Sequence, residues 1–290
     1  MFPYGGPGSW SFHLSFCAFR RVLVGLILLL AYGREARAQS SIAILDATGV
    51  SILDTTNGQP LARFTLTLQP GETPRTLAAS ADGSRLFVTT RLAAFTGALH
   101  VLDRDTGASL ARFAVLQSSM EGRAAPTNDG KQVYFAATVE PPDGWSAAYD
   151  NYCDVYKADV EAGTLARVSG THLAGRCVEA LLSPNADRLY LSGTQRLCCT
   201  GGATGGIVAL ALSASGATRL WGNGTISDAP VSALSADGST LFGRFLWSGR
   251  SGTGVRVYDA LSGSYVEHNP PVGFGPMAAA SNTRVFIRNS

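Results

Sequence analysis

Lysine is almost missing from this 290-residue chain: only Lys131 and Lys157 are present, and charged residues of all kinds make up 15%. Methionine occurs three times and histidine four times. These shortages exclude several classes of function. No Lys/Arg stripe runs along the chain to neutralise nucleic-acid phosphates. The histidines (His13, His100, His172, His268) form no HExxH pair or other close metal spacing, and no serine sits in a GxSxG elbow. Long apolar runs are also lacking. The longest, Val22 to Tyr32, has eleven residues. As a helix it rises about 16 Å, about half the thickness of a bilayer core.

That short run has the setting of an export signal. Arg20 and Arg21 precede it, and Ala36-Arg37-Ala38 follows with a small-x-small cleavage pattern. Residues 1–38 are therefore predicted to be a cleaved signal peptide and 39–290 a single domain beginning at Gln39. Cys17 lies before the apolar run, so it does not fit a lipidation site. Removing the segment takes away Arg20, Arg21, Arg34, Arg37 and Glu35, which leaves 19 basic and 20 acidic residues and a net charge of −1. The expected mature protein is periplasmic or extracellular, has no membrane span and does not bind nucleic acid.

What the chain does have is a repeat. Ser80-Ala81-Asp82-Gly83 precedes the β-rich run SRLFVTT. Related turns begin at Thr127, Ser183, Ser235 and, in worn form, Ser281, each followed by a similar run. The matching positions Asp82, Asp129, Asn185, Asp237 and Asn282 are 47, 56, 52 and 45 residues apart. Asp, Asn and Gly suit such turns because they tolerate positive φ. A second unit alternates with the first: Val101 to Phe113, matched by Ser51 to Phe64, Val155 to Val168, Val208 to Leu220 and Val257 to Val266. Its turn glycines are Gly58, Gly107, Gly163, Gly216 and Gly263. Two hairpins in each unit of roughly 50 residues predict an all-β propeller of four-stranded blades. Five copies of each hairpin predict five blades, the ring being closed by N-terminal and C-terminal hairpins that share one blade. Ser41 to Thr48 is left over, as an edge strand or the remnant of a further blade.

The wording of the first complete copy, PRTLAASADGSRLFVTT (Pro74 to Thr90) with GALHVLDRDTGASLARF (Gly97 to Phe113), resembles the YVTN-type β-propeller repeat family. The resemblance extends over most of residues 49–290 and is weakest at 208–220, where Leu212 replaces the turn aspartate. It implies a propeller and a secreted or periplasmic setting, in a family that often has seven blades. It implies little about activity.

The candidate sites differ in weight. Asp103-Arg104-Asp105-Thr106-Gly107 is too short for a calcium loop and lacks its distal glutamate, so a turn is expected. Gly201 to Gly206 joins two strands with no helix or lysine following, so a loop is expected rather than a phosphate cradle. Asn223-Gly224-Thr225 fits the glycosylation sequon and is read as a turn. His100 lies within a strand, where a satisfied histidine is the default.

Four cysteines remain in the mature chain: Cys153, Cys177, Cys198 and Cys199. An even number in an oxidising compartment favours disulfides over a metal site. Propeller geometry brings all four to one face of two neighbouring blades. Cys153 and Cys177 are each expected to pair with one of the vicinal residues. The loops on that face are long. Val139 to Tyr152 carries Trp145, Tyr149 and Asp150, and Leu246 to Gly254 carries Trp247 and Arg250. Arg123, Arg176 and Glu179 precede or begin first strands and are placed at the mouth of the central channel. Together these residues predict a monomeric, non-catalytic surface that binds a protein, peptide or glycan, with no cofactor and no metal. The alternative is a lactonase-like hydrolase or a dehydrogenase-associated subunit with its site in the channel.

Overall fold

The computed structural model describes residues 41–93, 96–116, 118–120, 122–139, 152–174, 176–194, 207–222, 231–246, 253–268, 277–281 and 284–287. All regular structure in them is antiparallel β. A three-stranded sheet comes first: β1 (Ser41–Leu45), β2 (Gly49–Asp54) and β3 (Pro60–Thr65). A four-stranded sheet follows in simple up-and-down order: β4 (Thr73–Ala79), β5 (Arg85–Ala93), β6 (Thr96–Asp103) and β7 (Ser109–Leu116).

In the next sheet the inner strand is broken into β8 (Ser118–Ser119) and β9 (Ala125–Pro126). Both pair with β10 (Gln132–Val139), which is followed by β11 (Tyr152–Asp159), with β12 (Thr164–Arg167) and β13 (Leu173–Ala174) on its far side. Two more four-stranded sheets follow. One is β14 (Arg176–Leu182), β15 (Arg188–Thr194), β16 (Val208–Ser213) and β17 (Gly216–Trp221). The other is β18 (Val231–Leu234), β19 (Thr240–Leu246), β20 (Thr253–Asp259) and β21 (Tyr265–His268). A two-stranded sheet, β22 (Met277–Ser281) and β23 (Arg284–Ile287), ends the chain.

The middle strands are buried on both faces, which explains their continuous apolar runs. On β5, Leu86 and Val88 pack with Val50 and Ile52 of the preceding sheet, while Phe87 packs with Val133 and Phe135 of the following one. The pattern repeats at the next boundaries. Tyr134 and Ala136 join Leu189 and Leu191, and Tyr190 joins Leu241 and Tyr258. Burying a side chain such as Phe87 stabilises by roughly 2–3 kcal/mol. The core is thus a series of seams between sheets, as in stacked blades.

The two kinds of turn form as the repeat predicts. In the first kind, the Ser80 hydroxyl donates to Asp82 (2.6 Å) and accepts from the Arg85 N–H (3.0 Å), and the Ser84 N–H donates to Asp82 (3.0 Å). Ser235 and Asp237 repeat this arrangement. In the copy at Ser183, Asp187 takes the place that Asn185 does not fill (2.7 Å), and Ala186 adopts φ 56°, where the copies at Ser80, Thr127 and Ser235 have glycine. These turns also join blade to blade. The Asp82 N–H donates to the Asn128 carbonyl (3.1 Å), and the Asn128 side chain donates to the Pro184 carbonyl (2.9 Å). In the second kind, the Asp103 carboxylate accepts from the Asp105 and Thr106 N–H groups and the Thr106 hydroxyl, as expected of a turn.

Closure differs from the simplest expectation. Ser41 to Leu45 is a full strand, paired with Val50 to Asp54 along its whole length, so both edges of β2 are filled, by β1 and β3. β23 therefore does not pair with β2. Among the described residues no ladder joins β22 and β23 to the N-terminal sheet. β1 also contacts β4, much as the second strand β10 contacts the first strand β14 of the next sheet.

Candidate functional site at the inner strands

The inner strands β4, β9, β14 and β18 stand side by side at one edge of successive sheets. Each complete inner strand starts beside the end of its neighbour: Thr73 pairs with Arg91, and Arg176 with Thr194. The second strands β10, β15 and β19 finish at this same end, at Val139, Thr194 and Leu246.

Thr76, Arg123 and Glu179 occupy matching places there, each four residues before its turn residue (Ser80, Thr127, Ser183). The ladder shifts register just before Thr76 and again just before Glu179. Bulges of this sort re-aim a side chain. The three positions form a continuous arc. Thr76 and Thr89 share a hydrogen bond of 2.6 Å, and the Thr76 hydroxyl donates to the Gly122 carbonyl (3.2 Å). Next to Gly122, Arg123 reaches across to Glu179, Nη2 to Oε1 at 3.5 Å. The Glu179 side chain is 13% exposed and that of Arg123 45%. Burial, opposed by the charge of Arg123, pushes the Glu179 carboxyl up to about 7. A group that titrates near neutrality is the kind a ligand or a changing pH can switch.

Two further polar clusters lie outside the arc. Glu72, in the connection between β3 and β4, is buried with a side chain only 1% exposed. Its carboxylate accepts from the Gln69 N–H (2.8 Å) and from the Thr90 hydroxyl, and meets His100 Nε2 at 2.8 Å and Arg112 at 3.4 Å. Burial works against its charge, but the hydrogen bonds from Gln69, His100 and Thr90 prevail and hold it at about 2. His100 is thus a satisfied core histidine that ties β6 to the connection between the first two sheets.

The second cluster is on β11, just after residues 140–151. Buried Asp154 meets His172 Nδ1 (3.0 Å) and Arg167 Nη1 (3.2 Å), and His172 stacks on Tyr152 with ring centroids 4.2 Å apart. His172 is half-exposed. Neither cluster has a spacing signal in the sequence, because their members lie on different strands and loops.

The fate of each predicted site residue is mixed. Arg123 and Glu179 are brought together. Arg176 begins β14, with its side chain outside the described set. Trp145, Tyr149, Asp150, Trp247 and Arg250 lie outside the described residues, as do Cys198, Cys199, residues 1–38, Gly201 to Gly206 and the 223–225 sequon. Cys153, on β11, is wholly buried and carries a disulfide. Cys177 pairs with Gly193 through the backbone, and its side chain is outside the described set. Among the described residues no group of three or more His, Cys, Asp or Glu is placed to hold a metal, and no helix is long and apolar enough to cross a membrane.

No family model matches the chain, and no curated protein does. Solved structures do match. Hydrazine synthase of Kuenenia stuttgartiensis aligns at 12% identity with a TM-score of 0.54, over 80% of this chain and 69% of that one. A TolB protein from Agrobacterium tumefaciens aligns at 16% with a TM-score of 0.53, over 79% and 76%. An oligogalacturonate lyase in complex with manganese aligns at 12% with a TM-score of 0.55, over 80% and 61%. At such identities the likeness shows fold alone. Together with the repeated four-stranded sheets, it establishes an all-β chain of propeller architecture.

Proposed function

We propose that this chain is an exported, non-catalytic propeller that binds a protein, peptide or glycan on the face where the inner strands begin. The observation that carries the reading is the Arg123–Glu179 pair: a nearly buried carboxylate and a half-exposed guanidinium at the inner edge of two adjacent blades, on the side from which the long connections leave. Propellers use rigid sheets to hold such loops, and a charged pair at the mouth gives orientation to what docks there.

The reading extends to the parts of the chain around that face. Trp145, Tyr149, Asp150, Trp247 and Arg250 supply its aromatic and polar anchors, with Arg176 at the mouth. Cys153 and Cys177 bond to the vicinal pair Cys198 and Cys199, bracing two neighbouring blades. Residues 1–38 direct export and are removed. The two partial sheets complete a fifth blade through the free edge of β1, within a monomer. Resemblance to the YVTN-type repeat agrees with this setting.

The test is capture of periplasmic partners by the mature protein, compared with a variant lacking Pro141 to Asn151. Loss of a specific partner in the variant, with an unchanged melting temperature, supports the face. Intact capture removes it as the site.

A further inference from the structure

Arg123 and Glu179 are unequal partners. Glu179 is almost enclosed, whereas Arg123 stands 45% exposed and its contact with the carboxylate, Nη2 to Oε1, is a long 3.5 Å. A carboxylate accepts about four hydrogen bonds, and a strong arginine partner would supply two parallel ones. Among the described residues no other donor reaches Glu179, and Arg123 is the one charged group that acts on it. By contrast Glu72, with side-chain and backbone donors around it, is held low. Among the described residues Glu179 is thus a buried acceptor with one charged partner, on a strand that shifts register just before it.

From this geometry we infer that the mouth takes a cationic ligand group, a primary ammonium, which displaces Arg123 and completes the hydrogen bonding of Glu179. An ammonium is a compact charge with three donors and suits a nearly enclosed acceptor whose guanidinium partner stands at 3.5 Å. Arg123 is then an internal competitor that holds the site in its empty state. The pair is anchored for this role. The Gly122 carbonyl is fixed by Thr76, so Arg123 can swing toward solvent without moving its backbone. Binding requires Glu179 to be charged, so the ligand expels a proton wherever the carboxyl was protonated.

The inference rests on the binding reading above, and its test separates the two. Putrescine is titrated calorimetrically into the mature protein at pH 8 and pH 6, with acetate as the anionic probe and glycerol as the neutral one. Putrescine is expected to bind about tenfold more weakly at pH 6, where most of Glu179 is protonated. Glu179→Gln should abolish binding, and Arg123→Gln should strengthen it by removing the competitor. Melting temperatures confirm that both variants fold. A weakened response in Arg123→Gln, or acetate binding in place of putrescine, overturns the cation while keeping the mouth as a site. Failure of all three probes to bind, or putrescine binding that neither substitution changes, overturns the cation site, and loop-dependent partner capture then decides separately whether the face binds at all.

Discussion

Arg123 and Glu179 hold the same place in the repeat on neighbouring blades, four residues before Thr127 and Ser183, and meet across the blade boundary at 3.5 Å. The repeat thus does more than build sheets. It lines up Thr76, Arg123 and Glu179 along the inner edge, where substitutions change chemistry without disturbing the turns that join neighbouring sheets.

Glu179 makes stability fall as pH rises. Its folded value of about 7 exceeds the ordinary 4.5, so between those values the folded state holds a proton that the unfolded state has lost. Glu179→Gln should therefore be more stable than the natural protein at pH 8, by about 1–3 kcal/mol, and nearly equal at pH 4. Urea unfolding at the two pH values checks this.

Glu72 acts in the opposite direction. Its folded value of about 2 lies below 4.5, so its contribution is complete above about pH 4.5 and is lost as pH falls toward 2. Glu72→Gln should cost roughly 2–4 kcal/mol at pH 7, because His100, Arg112 and the Gln69 N–H lose a charged partner, and should flatten acid unfolding in that window.

Ala186 occupies the left-handed region at φ 56°, where its counterparts are Gly83, Gly130 and Gly238. A side chain there costs about 1–2 kcal/mol. Ala186→Gly should raise stability by about 1 kcal/mol, measured as a shift in the denaturation midpoint. Gly130→Ala should do the reverse and more, since its new Cβ would stand 2.9 Å from that of Ser80 on the neighbouring blade.

Cys153→Ser should lower stability by about 2–4 kcal/mol through loss of its bridge, and the fall in melting temperature caused by reductant should shrink in the variant. An unchanged reductant response would contradict a structural role for that bridge.

The elements legible in the sequence are those whose chemistry is local. Ser80-Ala81-Asp82-Gly83 closes on itself within six residues, so its hydrogen bonds follow from its letters. Leu86-Phe87-Val88 announces a strand buried on both faces. Even the substitution of Asp187 for Asn185 leaves the turn recognisable. Glu72 and His100 could not be paired in advance, because they lie 28 residues apart on a connection and a central strand. Their meeting depends on how the connection from β3 folds over the second sheet. The placement of Arg123 and Glu179 followed from their positions at the starts of inner strands. Their contact depended on the bulge at Glu179, which no residue type marks. The role of Ser41 to Leu45 was open because β2 has two edges, and only the ladder shows which one β1 takes.

Mass spectrometry of the protein recovered from its own compartment tests the central claim most directly, denatured without reductant and then native. The account predicts a denatured chain that begins at Gln39 and is lighter by the four hydrogens that two disulfides remove. It also predicts a native complex whose bound partner is lost in Glu179→Gln. A full-length chain with free thiols, or a bound species indifferent to Glu179, would contradict it.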